Sequence, residues 1–194
     1  MAAGSTVGDS RSAHFVAEAL AMLEGFDAAF DGECARCKDQ ILALLRDHPA
    51  PLARTSHEPG HVTASAILLS PDEQSIALVH HNKLGRWLQP GGHVEAEDKD
   101  VLETAMREAR EECGVDLDAG FLPRLLSLDV HEIPAYGEEP MHWHHDFMFL
   151  LRAADAGLGC SEESAEVRWV ALGDIPAYAL DACTMRGLAR AIGD

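Results

Sequence analysis

Between Gly91 and Val115 the chain reads GGHVEAEDKDVLETAMREAREECGV, and this stretch limits the fold more than any other. The glycine pair makes a tight turn, and the residues after it have a helical period. Leu102, Ala105, Ala109 and Cys113 recur at spacings of three and four, an apolar stripe that seats a helix on a sheet. Glu108, Glu111 and Glu112 then fall into one arc of the neighbouring surface. Three carboxylates on one face repel one another, and a hard divalent cation held through oxygen ligands offsets that repulsion. Magnesium or manganese is the natural occupant. In a chain with 33 acidic residues a merely solvated acidic helix is the plain alternative. The glycine pair, Arg107-Glu108, Glu111-Glu112 and the terminating Gly114, occurring together in order, are more specific than glutamates alone.

At these residues the sequence resembles the Nudix hydrolase family, whose signature is Gly, five residues, Glu, seven residues, then Arg-Glu-apolar-any-Glu-Glu-any-Gly-apolar. Gly92 matches the opening glycine and Arg107 to Val115 the whole closing half, with Ala109 as its small apolar member. Fourteen residues separate Gly92 from Arg107 where the signature has thirteen, so Asp98 occupies the first glutamate position and Glu97 is the neighbouring acid. The extra residue falls ahead of the helix, where a loop absorbs it without rotating the glutamate face. Compatible strand patterns extend the resemblance to roughly residues 60 to 180.

The resemblance implies metal-dependent hydrolysis of a diphosphate linkage in a nucleoside diphosphate joined to another moiety. Carried over by position, Glu108, Glu111 and Glu112 hold Mg2+ or Mn2+. Gly91 adds a backbone carbonyl, and one of the glutamates serves instead as acceptor of the water's proton. Glu111, Glu108 and Arg107 are the candidate catalytic residues, Arg107 orienting a glutamate by a charge-assisted hydrogen bond. Many members of the family take a further acid from a loop before a late strand; Glu162 and Glu163 fit that place, Glu166 less well, and all three also read as an exposed acidic loop. A Nudix-fold binding or regulatory module without turnover is the alternative, and it usually shows lost glutamates. Here all three closing glutamates are present. The isopentenyl diphosphate isomerase branch of the fold finds no support, because none of the five cysteines lies in a catalytic-cysteine motif. Markers of substrate subgroup do not decide: Pro134 and Tyr136 lie too far downstream, and an NADH-type signature is missing. ADP-ribose-like compounds, nucleoside triphosphates and non-nucleotide diphosphates all stay open.

Charge narrows the partners. With 15 basic residues and a net charge of −18, the chain is unsuited to gripping long nucleic acid. A small phosphorylated substrate, such as a nucleotide derivative, stays compatible because a bound cation reverses the local field. No apolar run reaches the length of about 18 residues that spans a membrane, and the N-terminus lacks the layout of a secretory signal. Five scattered cysteines argue against a disulfide framework. The expected location is cytoplasmic.

The 194 residues suit one domain with an appendage, divided here as an N-terminal helical extension over 1–50 and the Nudix-like domain over 60–194. Phe15, Ala19, Met22, Leu23 and Phe26 follow one helical period, and Cys34, Cys37, Ile41, Leu44 and Leu45 another, with a break at Asp31-Gly32. A helical hairpin results, which either packs on the domain or supplies a homodimer contact. Cys34-x-x-Cys37 reads as core packing in preference to half a metal site. Strand patterns cover Val62 to Leu69, Ile76 to His80, Leu125 to Ile133, Phe147 to Leu151 and Glu166 to Leu172, and Asp174-Ile175-Pro176 opens a C-terminal helix with Leu180, Leu188 and Ile192 on its stripe. This order suggests an α/β (α+β) fold, a mixed sheet sandwiched between helices.

His142-Trp143-His144-His145-Asp146 is the second unusual cluster. Strand alternation puts His142, His144 and Asp146 on one face and His145 on the other. Zinc binding, contact with a phosphate or base, and plain hydrogen bonding at a sheet edge are all open to it. His80, His81, His93 and His131 are further candidates for the same mouth. Candidate substrate contacts are Arg86, His93, His142, His144 and Glu163; Trp87 and Trp143 can stack on a base or lie buried.

Overall fold

The computed structural model describes residues 6–160 and 164–193. Glu162 and Glu163 lie outside the described residues. Two helices come first, α1 (Thr6–Gly25) and α2 (Gly32–Asp47). Asp31 caps α2: its carboxylate accepts from the Cys34 amide at 2.8 Å, which is why the helix begins at the Asp-Gly step. Phe15, Ala19 and Leu23 from α1, Phe26 just beyond its end, and Cys34, Cys37, Ile41, Leu44 and Leu45 from α2 are buried. Lys38 donates to the Phe26 carbonyl at 2.7 Å, tying the second helix to the end of the first. Both cysteines have no solvent exposure, and burial raises the Cys37 thiol to about 11, so it stays protonated within an apolar stripe.

Seven strands come next: β1 (His61–Leu69), β2 (Ser75–His81), β3 (Arg86–Leu88), β4 (Gly91–His93), β5 (Arg124–Ile133), β6 (His142–Arg152) and β7 (Ser164–Ala171). They form one mixed sheet in the order β3-β2-β1-β6-β5, with β4 on β1 and β7 on β2. Every residue of β1 is buried, as befits an interior strand rich in Val, Ala, Ile and Leu. Helix α3 (Val101–Cys113) interrupts the strands, and α4 (Ala182–Gly193) ends the described chain. No helix among the described residues is long and apolar enough to cross a membrane.

The chain divides into two compact units. One contains the chain up to Thr63, His93–Thr104 and Leu128–Phe147, hence the helical hairpin. The other contains Ala64–Gly92, Ala105–Ser127 and the chain from Met148 onward. Its core gathers Ile67, Leu69, Ile76, Leu78, Leu126, Met148, Leu150 and Val170 from strands with Cys183 and Leu188 from α4. Gly187 lets α4 approach closely, because a β-carbon there would stand 2.2 Å from the Met148 sulfur.

The C-terminal expectation needs correction. Asp174, Ile175 and Pro176 lie in a 3-10 helix over Leu172–Tyr178 that ends at Ala179 in the left-handed region. Helix α4 starts afresh because Asp181 caps it, its carboxylate accepting from the Thr184 amide at 2.8 Å. Leu180 therefore precedes the helix, and Ile192 is 59% exposed and does not join the stripe.

Candidate active site

Within the second unit the C-terminal half of α3 buries Ala105, Ala109 and Cys113 and turns its acids outward from that seam. Leu102, expected on the stripe, is only half-buried; Thr104 and Val101 are fully buried instead. Gly114 stops the helix at φ +63°, its amide donating to the Arg110 carbonyl at 2.8 Å. A β-carbon there would also press on the Gly159 backbone at 2.6 Å, so two separate requirements select glycine.

Arg107 Nη1 donates to Glu108 Oε1 at 2.9 Å and to Glu111 Oε2 at 3.0 Å. The Glu108 side chain is 13% exposed and that of Glu111 58%, so one carboxylate is seated and the other lies toward solvent beside Arg107. Glu112 is fixed differently, accepting from the Gly91 amide at 2.9 Å. A β-carbon on Gly92 would fall 2.5 Å from Glu108 Oε1 and 2.8 Å from Oε2. The second glycine of the turn is thus the floor on which Glu108 rests. The first has another duty: a β-carbon on Gly91 would strike Ser65 at 2.5 Å and the Ala64 carbonyl at 2.9 Å. Gly91 is small because its strand lies against β1.

The arrangement brings together Gly91, Gly92, Arg107, Glu108, Glu111 and Glu112. Their carboxylate oxygens are the donor type that a hard divalent cation takes, and the glycine turn keeps carbon out of the space beside Glu108. Gly92→Ala is expected to leave the fold nearly intact, since the obstructing atoms are the end of a flexible side chain. Its melting temperature should therefore stay within a few degrees of the parent's in thermal unfolding.

Asp98, in the first unit, is 9% exposed, and its Oδ2 accepts from the Glu95 amide and the Thr104 hydroxyl, both at 2.9 Å. It clasps the loop ahead of α3, while Glu97 is exposed. Arg86 is exposed on β3, opposite His81. Glu166 pairs with Arg168, whose Nε lies 2.5 Å from its Oε1. The Arg168 guanidinium covers the Trp87 ring at 5.0 Å, and Tyr178 meets the ring edge at 5.5 Å.

In the first unit the alternation expected of β6 holds. His142 and His144 project into a group with His61 and His93, while Trp143 and His145 line a groove on the other face with Leu44, Val130 and Pro59. The ligand nitrogens of the four histidines lie within 4.8 Å of one another. Asp146 does not join them; it accepts from the Thr63 hydroxyl at 2.8 Å. His131 stands beside the group, 5.5 Å from the His144 ring, and pairs with Asp129 at 2.9 Å. His80 and His81 belong to the second unit, where His80 packs edge-on to Trp87 and His81 Nδ1 accepts from the Lys83 amide. Burial lowers His93 to about 3, and burial reinforced by neighbouring imidazoles lowers His144 further, so both rings are neutral. His61 was missing from the sequence-based candidates. Its only signal was a histidine opening an apolar strand, as His142 does.

A family profile for the NUDIX domain matches residues 59–188. The MutT Nudix hydrolase of Burkholderia pseudomallei is 25% identical, with a TM-score of 0.53 over 66% of this chain and 95% of that one. The Nudix domain of Shewanella oneidensis NrtR, solved with ADP ribose, is 19% identical, with a TM-score of 0.52 over 67% of this chain and 84% of that one. A Nudix-family hydrolase from Clostridium perfringens is 21% identical, with a TM-score of 0.50 over 69% and 98%. No curated protein matches the sequence. The chain belongs to the Nudix family, and the acidic helix with its glycine turn is where the family signature falls.

Proposed function

We propose that the protein is a metal-dependent Nudix pyrophosphohydrolase acting on a nucleoside diphosphate joined to a second moiety. The observation that carries this reading is the seating of Glu108 on Gly92 and of Glu112 on the Gly91 amide, beside an exposed Glu111 on the same helical face. Glu108, Glu111 and Glu112 would hold the Mg2+ or Mn2+, with the Gly91 carbonyl as a further oxygen. When bound, the cation would offset diphosphate charge and lower the pKa of a water. Arg107 positions Glu108 through its Nη1 contact and neutralises part of the acidic face before substrate enters. Glu111, the most exposed of the three carboxylates, is the one that would accept the water's proton instead of holding the cation. Water oxygen bonds to phosphorus, the bridging P–O bond breaks, and two phosphorylated products leave.

The test is a magnesium-dependent hydrolysis screen over ADP-ribose-like compounds, nucleoside triphosphates and non-nucleotide diphosphates. ADP ribose belongs in it because the Shewanella Nudix domain was solved with that compound. Glu111→Gln and Glu112→Gln serve as controls, each expected to lose on the order of 10²-fold in kcat. Binding without turnover in the parent would favour a non-catalytic module, and equal turnover by parent and variants would place the activity elsewhere.

A further inference from the structure

We propose that His61, His93, His142 and His144 form a second metal site, one that takes zinc or a similar imidazole-preferring divalent transition metal. The site is chemically separate from the acidic helix: four nitrogens and no carboxylate. Three strands supply it, His61 opening β1, His93 closing β4, and His142 and His144 standing two apart on one face of β6.

Hydrogen bonding prepares the lone pairs. His61 Nδ1 lies 3.0 Å from the Ser56 carbonyl and His142 Nδ1 2.9 Å from the Pro140 carbonyl. A carbonyl only accepts, so each Nδ1 carries the proton and each Nε2 is left with a bare lone pair. Backbone carbonyls orient metal-binding histidines in the same way. His61 has no solvent exposure, and its Nε2 is buried without a hydrogen-bond partner. Leaving a buried acceptor unsatisfied is destabilising. A cation removes that cost, whereas a phosphate, itself an acceptor, does not.

The geometry is close to what the metal needs. His142 Nε2 and His144 Nε2 are 3.1 Å apart. Two nitrogens on a tetrahedral zinc with bonds of about 2.0–2.1 Å are about 3.3–3.4 Å apart. The His61 ring centroid lies 5.1 Å from His93, 5.3 Å from His142 and 5.1 Å from His144, and His93 lies 5.0 Å from His144. Small ring rotations bring the remaining nitrogens inward from their 4.8 Å limit. Between the two rings the proton lies on His144 Nε2, which donates to His142 Nε2; metal binding would move it to His144 Nδ1 and turn both Nε2 atoms to the metal. Four protein ligands leave no open position, so the site is structural, clamping three chain segments.

The test uses the full chain, stripped with chelator and dialysed against zinc sulfate. About one equivalent of zinc per chain should be retained, with a melting temperature that rises with zinc. His61→Gln and His142→Gln should each weaken binding by at least the ~10–100-fold that the loss of a supporting contact costs. A Glu108→Gln/Glu112→Gln double variant should keep the zinc. Cobalt in the parent should give the intense visible bands of tetrahedral coordination, which decides the matter even where a histidine variant fails to fold. The proposal is overturned by zinc uptake that survives the histidine changes, by uptake lost in the glutamate variant, by octahedral cobalt, or by no uptake at all.

Discussion

Glu108→Gln should lower diphosphate hydrolysis by on the order of 10²–10³-fold, a loss of about 2.7–4 kcal/mol in transition-state stabilisation. The substitution keeps the side chain's length and one acceptor but removes the negative charge. Glu108 is held by Arg107 at 2.9 Å and rests against Gly92, so the charge removed is one fixed in place. Its removal should hardly unfold the protein. Arg107 retains Glu111 at 3.0 Å, and a glutamine amide oxygen can still accept from it, so the guanidinium keeps partners on both sides. The expected signature is therefore a large fall in kcat with a melting temperature close to the parent's. A large fall in stability with unchanged kcat would show Glu108 to be a structural residue.

Gly60→Ala should have the opposite signature, with stability falling by several kcal/mol. Gly60 sits at φ +115°, outside the range that side chains tolerate, and strain there costs about 1–3 kcal/mol. A β-carbon would also lie 2.2 Å from the Trp143 carbonyl oxygen and 2.7 Å from the Trp143 β-carbon. Overpacking of this kind adds about 1–3 kcal/mol, because the obstruction is backbone that cannot rotate away. Since Gly60 directly precedes His61, and Trp143 lies between His142 and His144, zinc affinity should fall with the fold. Equilibrium denaturation in urea measures the effect; a shift under ~1 kcal/mol would contradict the close approach of these two segments.

The acidic helix was legible because its period is strong and its ends are marked. Ala105, Ala109 and Cys113 are apolar at helical spacing, and Gly114 is a glycine for a conformational reason visible in any helix end. The strands around Ile67, Leu78 and Met148 were legible for the same cause, since runs of buried apolar residues announce themselves. Position-specific hydrogen bonds did not. Asp181, not Asp174, caps α4, and nothing local distinguishes the two acids before Pro176 is placed in its own short 3-10 turn. Asp98 sits where the family signature has a glutamate, yet its partners are a loop amide and Thr104, a choice made by tertiary packing. The histidines show the limit most clearly. Alternation paired His142 with His144, but joining them to His61 and His93 required knowing which strands are neighbours.

The most direct measurement of the central claim is the magnesium dependence of diphosphate hydrolysis by chelator-treated parent and Glu108→Gln protein, assayed side by side on the best substrate from the screen. The account predicts a parent silent without the cation and restored by adding it, and a variant whose rate stays about 100-fold or more below the parent's at saturating magnesium. Turnover by the parent without any divalent cation, or full restoration of the variant, would contradict it.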